Sequence, residues 1–171
     1  MILMSLIWGL LKVIKRIYIS GSGGQGVKLM SSILSKIISD LEYNVSLMFD
    51  YDAAMRGGII NSFLVYADQK IESPLVEEAD LYLKLAENKD DVKAKVIICD
   101  KGLCNGKQIP FEQIAKKEFG NVIVINMLAL GVLLKELDFD LKKINLDDFV
   151  PEKNKDQNIK AIKYGYSLKE L

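Results

Sequence analysis

The chain has 171 residues and contains no histidine, two cysteines and three prolines. The missing histidine carries the most weight. It excludes Ser-His-Asp and Cys-His catalytic arrangements, HExxH zinc sites and carboxylate–histidine–metal triads. The two thiols, Cys99 and Cys104, are too few for an iron–sulfur cluster, which normally takes about four ligands. No metal site is expected, and no residue stands out as a general base or nucleophile, so no catalytic residue is assigned. Positive charge is not in excess either: 23 Lys and Arg balance 23 Asp and Glu. That balance excludes binding by wholesale phosphate neutralisation, so nucleic acid is not an expected partner. No apolar run reaches the ~20 residues that cross a bilayer, so no membrane span is expected.

Half the residues are hydrophobic, enough for a core of ordinary size. Cys99 lies in the apolar run Val96-Ile97-Ile98-Cys99 and reads as a core residue, while Cys104 follows in a loop with glycines. A Cys99–Cys104 disulfide is sterically possible, but nothing points to export, so both are expected as thiols in a reducing, cytoplasmic setting. Met1 to Leu11 is apolar, and the basic residues Lys12, Lys15 and Arg16 come after it. A signal peptide has the opposite order. Residues 1–14 are read as an N-terminal extension. Three roles stay open for it: an oligomer or partner contact, a membrane-surface segment, or an upstream start with Met4 as the alternative. Residues 15–171 are read as a single domain.

Ile14 to Ser20 has the β-branched and aromatic content of a strand. A glycine loop follows, then a helix in which Met30, Ile33, Leu34, Ile37, Ile38 and Leu41 recur at three- and four-residue steps. Asn44 to Phe49 is a second strand and Ile59 to Ala67 a third. The intervening segment is too short for a parallel crossover, so the third strand is expected antiparallel to its neighbour. A short return at Ile71, and strands over 79–85, 96–100 and 122–125, complete the expected sheet. Pro110 opens a helix that Gly120 stops. Asn126 stands as the N-cap of an apolar stretch reaching Leu137. A helix apolar on all sides must be packed on both sides, against the sheet and something else, for which a partner is one candidate. A last helix runs from Asn154 to Tyr164, with Gly165 at its C′ position. The expected fold is a three-layer α/β/α domain with a mixed, mostly parallel sheet and a Rossmann-like first βα unit.

Two motifs carry chemistry. The loop Gly21-Ser22-Gly23-Gly24-Gln25-Gly26 follows a strand and opens a helix. Glycines there let a backbone approach a phosphate, and free N–H groups at the helix start favour an anion. Asp50 ends the second strand, near where a dinucleotide's ribose would be held. A tight turn with no ligand, or one packed on another subunit, fits the same spacing. The second motif is Tyr51 followed by Arg56-Gly57-Gly58, in which an Arg beside two glycines suits carboxylate or phosphate recognition. A surface Arg in a glycine turn is the plainer reading.

Together these residues resemble the gamma subunit of the 2-oxoacid:ferredoxin oxidoreductases, the pyruvate, 2-oxoglutarate and 2-oxoisovalerate enzymes. The likeness rests on Gly21 to Val27, on Tyr51 with Arg56-Gly57-Gly58, and on Ile71-Glu72-Ser73-Pro74. It continues through Asn126-Met127-Leu128-Ala129-Leu130-Gly131 and the closing Asn158, Ala161, Gly165 and Tyr166. It spans about Lys15 to Tyr166 and leaves out the N-terminal extension. Two departures stand in the second motif: Asp50-Tyr51-Asp52 where the family has Ser-Tyr-Gly, and Ala54 where it often has Glu.

The resemblance implies a role in a multi-subunit enzyme that converts a 2-oxoacid and coenzyme A to acyl-CoA and carbon dioxide, reducing ferredoxin. Alpha, beta and sometimes delta chains are the implied partners, with ferredoxin reached through the complex. The resemblance puts thiamine diphosphate and the iron–sulfur clusters on those other chains, with no cofactor bound by this chain alone and no activity of its own. It places this chain at the coenzyme A side. Gly21, Ser22, Gly23, Gly24, Gln25, Gly26, Arg56, Gly57 and Gly58 are the candidate ligand, phosphate or subunit contacts. A free-standing nucleotide-binding regulatory domain, and a ligand-free assembly subunit, are the alternatives.

Overall fold

Six stretches with strand-forming composition pair into one sheet in the computed structural model, which describes residues 13–51, 58–88 and 92–168. They are β1 (Ile14–Ser22), β2 (Asn44–Tyr51), β3 (Ile59–Ala67), β4 (Glu78–Lys84), β5 (Lys93–Asp100) and β6 (Lys107–Ile109). The spatial order is β2-β3-β1-β4-β5-β6. β3 runs antiparallel to both β1 and β2, as its short connection requires, whereas β1, β4, β5 and β6 are mutually parallel. The α/β fold, the mixed and mostly parallel sheet and the first βα unit are thus present. Among the described residues, however, all four helices bury their hydrophobic residues on one face of the sheet, so the second helical layer of the expected α/β/α arrangement is not seen. No strand forms at Ile71, where Pro74 follows closely and offers no N–H to a ladder. β6 has no counterpart in the sequence reading, since three residues are too few to show a period.

Four helices pack on this sheet. α1 (Val27–Asp40) buries Met30, Ile33, Leu34, Ile37 and Ile38 against Ile17 and Ile19 of β1 and Leu64 of β3. α2 (Phe111–Phe119) starts after Pro110 and ends at Gly120, as the punctuation of the sequence requires. α3 (Ile125–Glu136) is buried from Ile125 through Leu134. Its second packing partner is α4 (Lys155–Ser167), so the far side of this apolar helix is covered from within the chain. A Cβ on Gly131 would lie 2.0 Å from the Ile162 carbonyl oxygen, and one on Gly165 2.0 Å from that of Leu128. Gly165 is therefore a packing residue inside α4 rather than the residue that ends it. The buried hydrophobic residues of the helices all belong to the cluster containing Ile17 and Ile19. Tyr18, Val65, Val76, Ala79 and Tyr82 form a smaller, separate cluster. There the Ser20 and Tyr82 hydroxyls bond at 2.8 Å, and Asn88 donates to the Tyr18 hydroxyl at 3.2 Å.

Two further expectations are corrected. Val122–Val124 is a 3-10 turn, not a strand, because Asn121 accepts the Ile123 N–H at 2.9 Å and α3 begins at once. And Cys99 and Cys104 are joined as a disulfide instead of standing as thiols. Leu103 N–H bonds the Asp100 carbonyl at 3.1 Å, turning the chain back and bringing the two Cα atoms to 6.1 Å, within bridging reach. Closing so short a loop stabilises by about 2 kcal/mol on the chain-entropy account. Cys104→Ser should therefore lower stability by about that amount under non-reducing conditions. With a reductant present the variant and the native chain should unfold alike in urea. Two thiols alkylated in native protein without reductant would contradict the bond.

Candidate functional site

The carboxyl ends of β1 and β4 lie side by side. The chain leaves β1 toward β3 and β2, and leaves β4 toward β5, so the connections diverge from this point. In open α/β sheets ligands bind in the crevice at such a divergence. The glycine loop closes one side of it.

Gly21 and Ser22 still belong to β1, paired with Ile60 and Ile59 of β3. The turn proper is Gly23 to Gln25. Gly23 N–H bonds the Gly58 carbonyl at 2.9 Å and Gln25 N–H bonds the Ser22 carbonyl at 3.1 Å. The Gln25 side chain folds back, accepting from Ser22 N–H at 2.6 Å and donating to the Leu85 carbonyl at 3.0 Å. Gln25 is thus a brace between the loop and the end of β4, with its amide consumed by the protein. Gly26 caps α1 with φ 76° and offers no side chain to the helix start. Among the described residues, the N–H groups of Val27, Lys28 and Leu29 have no acceptor; the first intrahelical bond is Met30 N–H to the Gly26 carbonyl, at 3.0 Å. No acidic residue stands in the first turn. Among the described residues nothing neutralises the positive end of the helix, which favours an anion.

Lys28 adds charge at the same place. Its ammonium lies 4.0 Å from the centre of the Tyr51 ring, a cation–π contact at the end of β2. Of the second motif, Gly58 is described and is tied to the glycine loop through Gly23. Arg56 and Gly57 lie outside the described residues. Asp50 is exposed on β2, and β3 stands between β2 and β1, with Asp50 opposite Asn61 and Asn61 opposite Ser20. Two strand spacings, roughly 9–10 Å, separate Asp50 from β1. A dinucleotide fold places those two strands side by side. The insertion of β3 thus takes Asp50 out of the ribose position.

The sequence reading missed two participants. Lys28 gave no signal beyond being a cation in a first turn. Asn126 gave one: it is a polar residue at the second position of a helix that is otherwise apolar as far as Gly131, and buried polar groups need a reason. It is not the cap of α3, since Val124 holds that place. Its side chain lies against Gly26, where a Cβ would come within 2.3 Å of Nδ2.

Residues 16–168 match the family model described as pyruvate ferredoxin/flavodoxin oxidoreductase, and the chain belongs to that family. Within it, the chain is a gamma subunit of a 2-oxoacid:ferredoxin oxidoreductase. The 2-oxoglutarate synthase subunit KorC of Methanocaldococcus jannaschii is 30% identical, over 94% of this chain and 97% of that protein. KorC of Archaeoglobus fulgidus is 26% identical over 89% and 86%. Among solved structures, the keto/oxoacid ferredoxin oxidoreductase gamma subunit from Geobacter sulfurreducens superposes with a TM-score of 0.72 at 23% identity, over 90% of this chain and 95% of that one. The 2-oxoglutarate:ferredoxin oxidoreductase from Magnetococcus marinus, solved with 2-oxoglutarate, coenzyme A and succinyl-CoA bound, gives 0.74 at 20% identity. That match covers 92% of this chain and 32% of the other, so there the same fold is one part of a longer chain. No described helix is long and apolar enough to cross a membrane.

Proposed function

We propose that this chain forms the coenzyme A side of a 2-oxoacid:ferredoxin oxidoreductase and that the glycine loop and the start of α1 hold phosphate groups of coenzyme A. The reaction served is oxidative decarboxylation of a 2-oxoacid to acyl-CoA, with electrons passed to ferredoxin. The observation that carries this reading is the unneutralised start of α1, its first N–H groups unpaired, at the point where the connections diverge. The KorC relatives make 2-oxoglutarate the first oxoacid to test.

Coenzyme A, when bound, supplies the thiol that takes up the acyl group. The residues of this chain bind and orient it: the α1 N–H groups and Lys28 take the negative charge, and Arg56 adds a guanidinium from the second motif. Thiamine diphosphate and the iron–sulfur clusters belong to the alpha, beta or delta partners in this reading: the first by the family resemblance, the clusters also because a chain with no His and two Cys lacks the ligands.

The test is oxoacid-dependent reduction of an acceptor by the enzyme reconstituted from all its subunits, with coenzyme A titrated. A hydrogen bond to a charged group is worth roughly 1.5–3 kcal/mol. Arg56→Ala should therefore raise the KM for coenzyme A about 10- to 100-fold. An unchanged KM with normal assembly favours the ligand-free assembly role. Tight binding of a dinucleotide by the subunit alone favours the regulatory one.

A further inference from the structure

We propose that Cys99 and Cys104 form a thiol–disulfide exchange site, whose bond a dithiol opens and which closes again on the same two sulfurs. The site does not depend on the coenzyme A reading. Its two cysteines differ in access. Cys99 is fully buried at the end of β5, whereas Cys104 is half-buried in the largely exposed loop 101–106. A thiol arriving from solvent therefore meets the Cys104 sulfur first.

Three observations set this bond apart from a structural staple. First, its cysteines are only five residues apart in sequence, so the entropy it removes from the unfolded chain is near the low end for disulfides. Second, the loop is held without it. Leu103 N–H bonds the Asp100 carbonyl at 3.1 Å. The Gln108 amide reaches across the loop, accepting from Gly102 N–H at 3.0 Å and donating to the Cys104 carbonyl at 2.7 Å. Gly106 lies so close to β5 that a Cβ there would stand 2.4 Å from the Ile97 carbonyl oxygen. Opening the bond thus leaves the two sulfurs near each other, at a high effective concentration for closing again. Third, the Cys104 sulfur accepts the Gly106 N–H at 3.2 Å. A donor aimed at sulfur favours the thiolate over the thiol and so stabilises the reduced form.

The exchange runs in two steps. A thiolate of the dithiol attacks the Cys104 sulfur; the Cys99–Cys104 bond breaks, and Cys99 leaves with the electron pair and takes up a proton. The second thiolate of the dithiol then attacks the reductant's sulfur in the mixed disulfide and releases Cys104 as a thiolate beside the Gly106 N–H. Two electrons pass from the dithiol to the pair, and the dithiol leaves as a disulfide. A disulfide oxidant drives the same sequence backwards.

Dithiothreitol is the probe, added to the folded full-length chain without urea, with samples alkylated at intervals and weighed by mass spectrometry. Both cysteines should become alkylated within minutes while the circular-dichroism spectrum stays native. Transfer to oxidised glutathione should then restore the bond with no crosslinked dimer. A bond that opens only once urea unfolds the chain is a structural staple and overturns the proposal; this measurement needs no variant. Gln108→Ala tests the anchoring, and because Gln108 is exposed the core is spared. Loss of its two hydrogen bonds to the loop should slow closing about tenfold. Unchanged closing would show that the loop does not hold the sulfurs ready, and overturns the pre-set pair. The time course should be the same in the enzyme reconstituted from all its subunits. A bond shielded from dithiothreitol there overturns exchange in the enzyme.

Discussion

Gly131→Val should lower the melting temperature of the chain by roughly 10 °C, the largest loss expected from any one substitution in the helical layer. Among the described helices, α3 and α4 share the most extensive contact. The approach is made by backbone: the space a Cβ would need on Gly131 holds the Ile162 carbonyl oxygen at 2.0 Å and the Tyr166 N at 2.7 Å. A flexible side chain can swing aside from an intruding methyl, but a helix backbone cannot. The helices must separate, and Leu128, Leu130, Leu133, Ala161 and Ile162, all fully buried, lose contacts together. Overpacking costs about 1–3 kcal/mol even where side chains can adjust, so a figure near or above the top of that range is expected here. For a chain of this length each kcal/mol moves the melting point by about 2–4 °C. Gly120→Ala is the control. Gly120 has φ 68° and nothing within 4 Å of its Cβ position, so only the backbone preference is lost there. Circular-dichroism melts of both variants decide the matter. A Gly131→Val melt within about 2 °C of the native chain would mean that α3 and α4 do not touch this closely.

What was legible in the sequence, and what was not, follows from where each signal comes from. Helix α1 was legible because one face of it is buried and one is not, which leaves a period in the residues. The antiparallel run of β3 was legible from the length of its connection alone. The glycine loop could be placed because strand, loop and helix each leave a local mark. α3 was harder. A helix buried on all sides has no period, so its neighbour had to be found in the fold, and that neighbour is α4, from the same chain. The glycine at 165 looked like a stop because most glycines near helix ends are stops. Only the Leu128 carbonyl beside it shows otherwise. Cys99 was rightly placed in the core, but its bond to Cys104 depends on how a short loop turns back. Within the site, the glycines were legible and Asn126 was not. Its amide and Gly26 are far apart in sequence, and no local pattern reports a contact of that kind.

That contact sets the second large effect, on Gly26. Gly26→Ala should destabilise the chain by about 2–4 kcal/mol and weaken coenzyme A binding by the assembled enzyme more than tenfold. Two costs add. The first is conformational: φ is 76°, a left-handed value that costs a residue with a Cβ about 1–2 kcal/mol. The second is steric, because the new methyl would meet Asn126 at Nδ2, Cγ and Cβ, at 2.3, 2.9 and 3.1 Å. Asn126 cannot turn away freely, since it is buried and its Oδ1 is held by Met127 N–H. Gly24 separates the two costs. It too has a left-handed φ, 96°, but nothing lies within 4 Å of its Cβ position, so Gly24→Ala should show the conformational cost alone. Removing the obstacle makes the same separation from the other side. In Gly26→Ala with Asn126→Ala, the steric cost disappears and the conformational one stays. The double variant should therefore be more stable than the sum of the two single losses predicts, by about 1–2 kcal/mol. Urea unfolding of the native chain, both single variants and the double variant gives that difference directly. Strict additivity would show that Gly26 and Asn126 do not meet.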